Sequence, residues 1–290
     1  MTWLAIAKKD FRDAVQSRAL WALVAGFVLL SLVSTYAYVQ VPELFGGPTG
    51  ATFAGLVFFT VGLTGLFVPL AAIVVCYKSL AGERELGSIK LLLSLPTNRL
   101  NVFTGKVVGR AAVLVFGLGV GLFVGLGFGS VLLGTLNLGA MLVFVLVTLG
   151  FAAMYAGIMV GLSATTGSTS RATTFALGFF VIFELFWDVV PMAIVYIVTG
   201  FSLPSTMPEW VFLLGQVSPS SAYLSTIVAL LPGLAETAGA APAQTGVGVD
   251  VAAAEPTPFY LNPDVGIVVL ALWLVVPFLV GYYRFNVADL

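Results

Sequence analysis

Along this chain of 290 residues, apolar positions come in long unbroken runs and polar ones in short bursts between them. Stretches without a charge extend from Ala19 to Pro42, Leu44 to Tyr77, Ala111 to Ser170, Ala172 to Phe183, Val189 to Pro208 and Val265 to Tyr283. A helix needs about 20 mostly apolar residues to cross a bilayer, and all of the runs but the fourth are of that order or longer. The third run is long enough for two helices, and the segment from Gly134 to Gly139, with Asn137 inside it, supplies turn residues near its middle. The fourth and fifth runs join into one helix if Glu184 and Asp188 are accommodated within it. The pattern predicts an all-α integral membrane protein, a single transmembrane domain over 1–290, with spans near 19–39, 54–77, 107–133, 140–163, 172–199 and 264–283.

The segments between the spans have characters of their own. In Thr2 to Arg18, Leu4, Ala7, Phe11, Ala14 and Val15 recur at helical spacing, while Lys8, Lys9, Arg12, Asp13 and Gln16 mostly take the other side. Such a segment forms an amphipathic interfacial helix in the headgroup region. In the third span, Gly117, Gly121, Gly125 and Gly129 recur every four residues and make a groove for close approach of another helix, with packing inside the chain favoured over a subunit seam. Residues 200–263 form the largest outward-facing piece. Its apolar part, Trp210 to Leu231, is interrupted by Gly215 and Ser218 to Ser221, which suits re-entrant or surface helices. Glu236 to Pro258 is rich in Ala, Gly, Pro and Thr and reads as a mobile loop.

Composition agrees with the pattern: 60% of residues are hydrophobic, only 9% are charged, and the mean hydropathy is +1.09, far from soluble proteins. The few charges set the orientation. All twelve Lys and Arg lie in segments that six crossings place on one side, so both termini and the 78–106 loop are expected in the cytoplasm. Trp3, Leu4 and Ile6 precede the first positive charges, so the start does not read as a removable signal peptide. With no histidine and a single cysteine, Cys76, the chain lacks the residues for His/Cys metal sites, haem ligation, a disulfide or Ser/His/Asp catalysis, and no cofactor or nucleic-acid partner is expected.

Two places could carry chemistry. Glu184 and Asp188, one helical turn apart in the fifth span, are acids in a segment where an acid is costly unless it faces a cavity or a partner; a purely structural hydrogen-bonded role is equally compatible with the pattern. The other is the cytoplasmic loop. There Glu83, Arg84 and Glu85 close off the second span, and Gly87 permits a sharp turn. Ser88 can cap a short helix through Ile89, Leu92 and Leu93, and Pro96 stops it. Thr97 or Asn98 can cap the helix that runs on into the third span. No G-x-x-x-x-G-K-[ST] occurs; the nearest string, Thr104 to Val107, lacks the upstream glycine and the hydroxyl that would meet magnesium, so ATP is not bound by that route.

The run from Gly82 to Pro96, followed by Arg99 and Gly105-Lys106, resembles the coupling-helix region of type 2 ABC transporter permeases, and the likeness extends over the whole chain. Within that family it is most similar to the group associated with nitrous oxide reductase maturation, which often carries an aromatic-flanked acid such as Phe186-Trp187-Asp188 in span five. The resemblance implies a permease homodimer or heterodimer in the plasma membrane, docked to separate ABC ATP-binding subunits through a coupling helix within Glu83 to Pro96, and working as an exporter. The stretch after Leu234 departs from some relatives. Competing readings are an ion-coupled secondary transporter using Glu184 and Asp188, and a membrane assembly factor with no transport cycle.

Overall fold

The computed structural model describes residues 2–41, 51–94, 96–202, 204, 208–237 and 262–288, with the side chains of 91–93 and 209 outside the description. Among the described residues every regular element is helical. Helix α1 (Trp3–Val15) turns at Ser17 into α2 (Arg18–Gln40), and that hydroxyl serves both: it donates to Ala14 O (2.7 Å) and accepts from Leu20 N (3.3 Å). Thr52 caps α3 (Phe53–Cys76). Two short helices follow, α4 (Ala81–Glu85) and α5 (Ser88–Ser94), separated at Gly87, whose φ of +71° is open to glycine at little cost. Asn98 caps α6 (Arg99–Leu133), accepting from Asn101 N at 2.7 Å; the alternative cap, Thr97, is not used. Gly134, at φ +65°, ends α6, and Asn137 caps α7 (Leu138–Ala164).

The fifth hydrophobic segment departs from expectation. The continuous helix expected over 172–199 is instead α8 (Thr169–Phe180), a π-helical turn (Val181–Leu185), and α9 (Val189–Val198), with a 69° bend between the two arms. Pro191 supplies the reason. It has no N–H to return to Trp187 O, and its ring would crowd that carbonyl in a straight helix, so the chain breaks in the turn just before it. Asp188 consequently sits at the break rather than on one helical face with Glu184. Outside the spans, α10 (Glu209–Gly215), α11 (Pro219–Leu230) and α12 (Pro232–Thr237) precede α13 (Asp264–Asn286). The expected mobile loop falls largely at 238–261, outside the described residues.

Five helical stretches are long and apolar enough to cross a membrane, and six if the bent pair counts as one. Helix α6 is the hub, because its glycines let neighbours come to backbone contact. A Cβ on Gly121 would lie 2.9 Å from Phe27 C, and one on Gly125 would lie 2.5 Å from Ser31 Cβ, both on α2. The same four-residue stripe extends toward the N-terminus of α6, where a Cβ on Gly105 would meet Ile6 Cβ at 2.7 Å and one on Gly109 would meet Asp10 Cβ at 2.9 Å. Thus α1 lies along α6 through Ile6, Ala7 and Asp10, while Leu4 is 58% exposed. Elsewhere α13 crosses α7 where Gly281 meets Gly161, and leans on α11 at Gly266. Helix α11 does not lie on a surface: its Tyr223 is completely buried, stacked on Phe151 of α7 at 4.3 Å between ring centroids. Large apolar side chains such as Leu29, Val33, Val268 and Leu279 remain exposed on the outer faces of α2 and α13, as expected for lipid-facing positions.

Candidate functional site

The charged end of the bundle is built around α4. Ser163, near the end of α7, accepts hydrogen bonds from Leu80 N (3.2 Å) and Ala81 N (3.0 Å) and donates to Tyr77 O (2.8 Å), so one buried hydroxyl satisfies backbone groups left over where α3 ends. Arg84 donates to Ala164 O at 3.0 Å, and Glu85 accepts from Thr169 N at 2.8 Å. These two contacts fasten α4 to the α7–α8 loop. Hydrogen bonding from the Thr169 hydroxyl and amide holds the Glu85 carboxyl below the usual carboxylate range.

On the other side of α4, Glu83 lies 2.6 Å from Lys106 of α6, and the same ammonium is 2.9 Å from Asp10 of α1. Lys106 is only 6% exposed, so it needs both partners to offset its lost hydration. Gly105 and Lys106, the string closest to a phosphate loop, therefore seat α1 and bind its acid. The sequence contained a signal for Asp10 that went unread: it follows Ile6 and Ala7 at helical spacing and so falls on the packed face, where an acid requires a base.

The candidate coupling residues are not equivalent. Ile89 is 1% exposed, turned into the chain's own core, where it seats α5. Ser88 is the first residue of α5, and its hydroxyl donates to Glu83 O at 3.2 Å rather than capping the new helix. Pro96 is exposed just after α5, and Leu92 and Leu93 lie within α5 with side chains outside the description. The most exposed large hydrophobic side chain among the described residues was absent from the sequence-based set: Leu86, between α4 and Gly87, is 85% exposed. At the far end of the loop, Arg99 donates to Phe285 O (3.1 Å) and Ala288 O (2.9 Å), closing carbonyls at the end of α13.

A second constellation lies inside the bundle. The Glu184 carboxyl group contacts the Tyr155 hydroxyl of α7 and the Ser220 hydroxyl of α11, and Ser220 Oγ also lies 3.2 Å from Gly65 O of α3. Next to it, the Tyr223 hydroxyl contacts Thr148 (2.7 Å) and Thr64 (3.1 Å). Glu184 thus joins α3, α7, the π turn and α11 in one polar seam. Aromatic rings flank the bend: Phe183 stacks on Trp187 at 4.8 Å and meets Trp273 of α13 at 5.0 Å, while the Trp187 indole donates to Leu214 O. Asp188 is exposed and does not join this seam through a hydrogen bond or ion pair. Sequence spacing paired the two acids; the break at Pro191 separates their settings.

Comparisons place this architecture among known proteins. The model of the ABC-2 family transporter proteins matches residues 4–290. The probable ABC transporter permease protein NosY of Pseudomonas aeruginosa is 29% identical over 220 residues, covering 72% of this chain and 76% of that protein. Its namesake from Stutzerimonas stutzeri is 27% identical over 219 residues, with the same coverage. The apolar helices, the buried charge cluster at one end and the match across nearly the whole length agree: the chain belongs to the ABC-2 transporter family and is a multi-pass transmembrane subunit of an ABC transporter.

Proposed function

We propose that this subunit is the permease of an ATP-driven exporter in the plasma membrane. Its charged end faces the cytoplasm, and α5 with the preceding turn docks on a separate ATP-binding subunit. The observation that carries the reading is the bracing of α4: Glu83 to α1 and α6 through Lys106, Arg84 to the end of α7, and Glu85 to the start of α8, with Leu86 projecting 85% exposed at its tip. A push on Leu86 is thereby delivered to several helices at once. Two copies would form the complete pathway, as the family resemblance implies. NosY carries the name of a permease protein, which supports the same role here.

The Glu184 seam favours a second reading, an ion-coupled carrier, because an intramembrane acid shared between several helices can bind and release a cation. Reconstitution of the chain with its ATP-binding subunit separates the two. The exporter requires hydrolysable ATP and continues when an uncoupler collapses the ion gradients. Transport that persists with a hydrolysis-defective partner and stops with the uncoupler contradicts the exporter reading.

A further inference from the structure

The surface around the tip of α4 and α5 is one-sided in charge. Lys78, its ammonium over the Tyr77 ring, Lys90 and Arg171 are exposed, and none of the three takes part in an ion pair among the described residues. Arg84 and Arg99 lie within electrostatic reach of each other, and each is tied to backbone carbonyls, Arg84 to Ala164 O and Arg99 to Phe285 O and Ala288 O. The acids of the 78–106 loop, Glu83 and Glu85, are already engaged: Glu83 is drawn to buried Lys106 at 2.6 Å, and Glu85 accepts from Thr169 N at 2.8 Å. The 164–172 connection contains no acid. Because Arg84 and Glu85 fasten the two connections together, bases from both are brought to the end of the bundle that carries Leu86.

Orientation by positive charge requires only an excess of bases on one side of the membrane. It does not require the acids to be taken up in ion pairs and hydrogen bonds while the bases and one large apolar side chain stay outside. An apolar anchor within a charged rim is the anatomy of a protein interface, in which the anchor supplies binding energy and the rim selects the partner and speeds encounter. Building on the docking reading above, we propose that this tip recognises an acidic face of the ATP-binding subunit: an apolar socket for Leu86, bordered by carboxylates that pair with Lys78, Lys90 and Arg171. Such a face is attracted from a distance, so association is fast at low salt and slows as salt screens the charges.

The test is the kinetics with which the purified ATP-binding subunit binds the full chain in nanodiscs, at about 50 and about 500 mM salt. The association rate should fall on the order of tenfold or more over that range. The double variant Lys90→Glu with Arg171→Glu should associate about tenfold more slowly than wild type at low salt, and the difference should vanish at high salt. Both side chains are exposed, so its melting temperature should match wild type. Leu86→Ser should act instead on the dissociation rate and leave the salt dependence in place. Association that ignores salt and the double variant, while Leu86→Ser still speeds release, would keep the docking and remove the acidic face. Absence of binding at either salt would remove the docking reading and this inference with it. If the double variant binds the subunit as wild type does but loses a rise in melting temperature on adding phosphatidylglycerol, the bases serve the membrane and the proposal is overturned.

Discussion

Glu184 shows how much one side chain can organise. Both carboxylate oxygens have hydroxyl partners, from Tyr155 and Ser220, and these come from helices otherwise joined chiefly by apolar packing. Glu184→Gln keeps the size and most of the hydrogen bonding, so its effect on stability should stay within about 1.5 kcal/mol. Transport-coupled ATP hydrolysis should fall severalfold, because an amide cannot take up or release a proton as the acid can. Wild-type transport by Glu184→Gln would reduce Glu184 to a structural acid. At this scale the sequence was partly legible: an acid in an apolar run announces itself, but its partners are distant hydroxyls that no local pattern reveals. Asp10 and Lys106 were harder to pair, being 96 positions apart. The same-face placement of Glu184 and Asp188 assumed a straight helix, and Pro191 was the residue to weigh.

Among the elements, α6 was the most legible. Its glycine stripe predicted close approach, and α2 and α1 fill the groove within the same chain. Two neighbouring glycines separate packing from helix propensity. A methyl at Gly125 would sit 2.5 Å from Ser31 Cβ, whereas at Gly127 it meets nothing within 4 Å. Gly125→Ala should therefore cost about 1–3 kcal/mol through overpacking, seen as a lower melting temperature in detergent, while Gly127→Ala leaves it unchanged or raises it. Equal melting of the two variants would mean that α2 is free to shift. The α4–α5 turn was also visible, through Gly87 and Pro96, yet which face of the loop lies inward was not. Burial of Ile89 and exposure of Leu86 depend on α7 and α8, far along the chain.

Across the whole molecule, the path of the chain bears on the number of crossings. Thr169 starts α8 at the Glu85 end, and α13 returns to that end, where Arg99 holds its last carbonyls. At 1.5 Å per residue, the 23 residues of α13 reach about 34 Å, a full bilayer core. The chain between Thr169 and Asp264 must therefore change sides, which supports counting the bent α8–α9 pair as a crossing and, with the distribution of Lys and Arg, a cytoplasmic charged end. Single cysteines in a background lacking Cys76 test this in intact cells. Ser168→Cys should react with an impermeant maleimide only after permeabilisation, and Asn137→Cys should react from outside. Outside labelling of Ser168→Cys would reverse the orientation.

The central claim is that the braced tip of α4 and α5 is where an ATP-binding subunit pushes. Leu86 allows a clean measurement, since at 85% exposure a polar replacement costs the isolated subunit little. At an interface the same change would bury an unpaired carboxylate against the partner. The measurement is retention of the ATP-binding subunit on affinity-purified Leu86→Asp, alongside its melting temperature. An unchanged melting temperature with retention reduced about tenfold or more is the predicted result. Full retention of the partner by a folded Leu86→Asp chain, with ATP hydrolysis still coupled to transport, would contradict it.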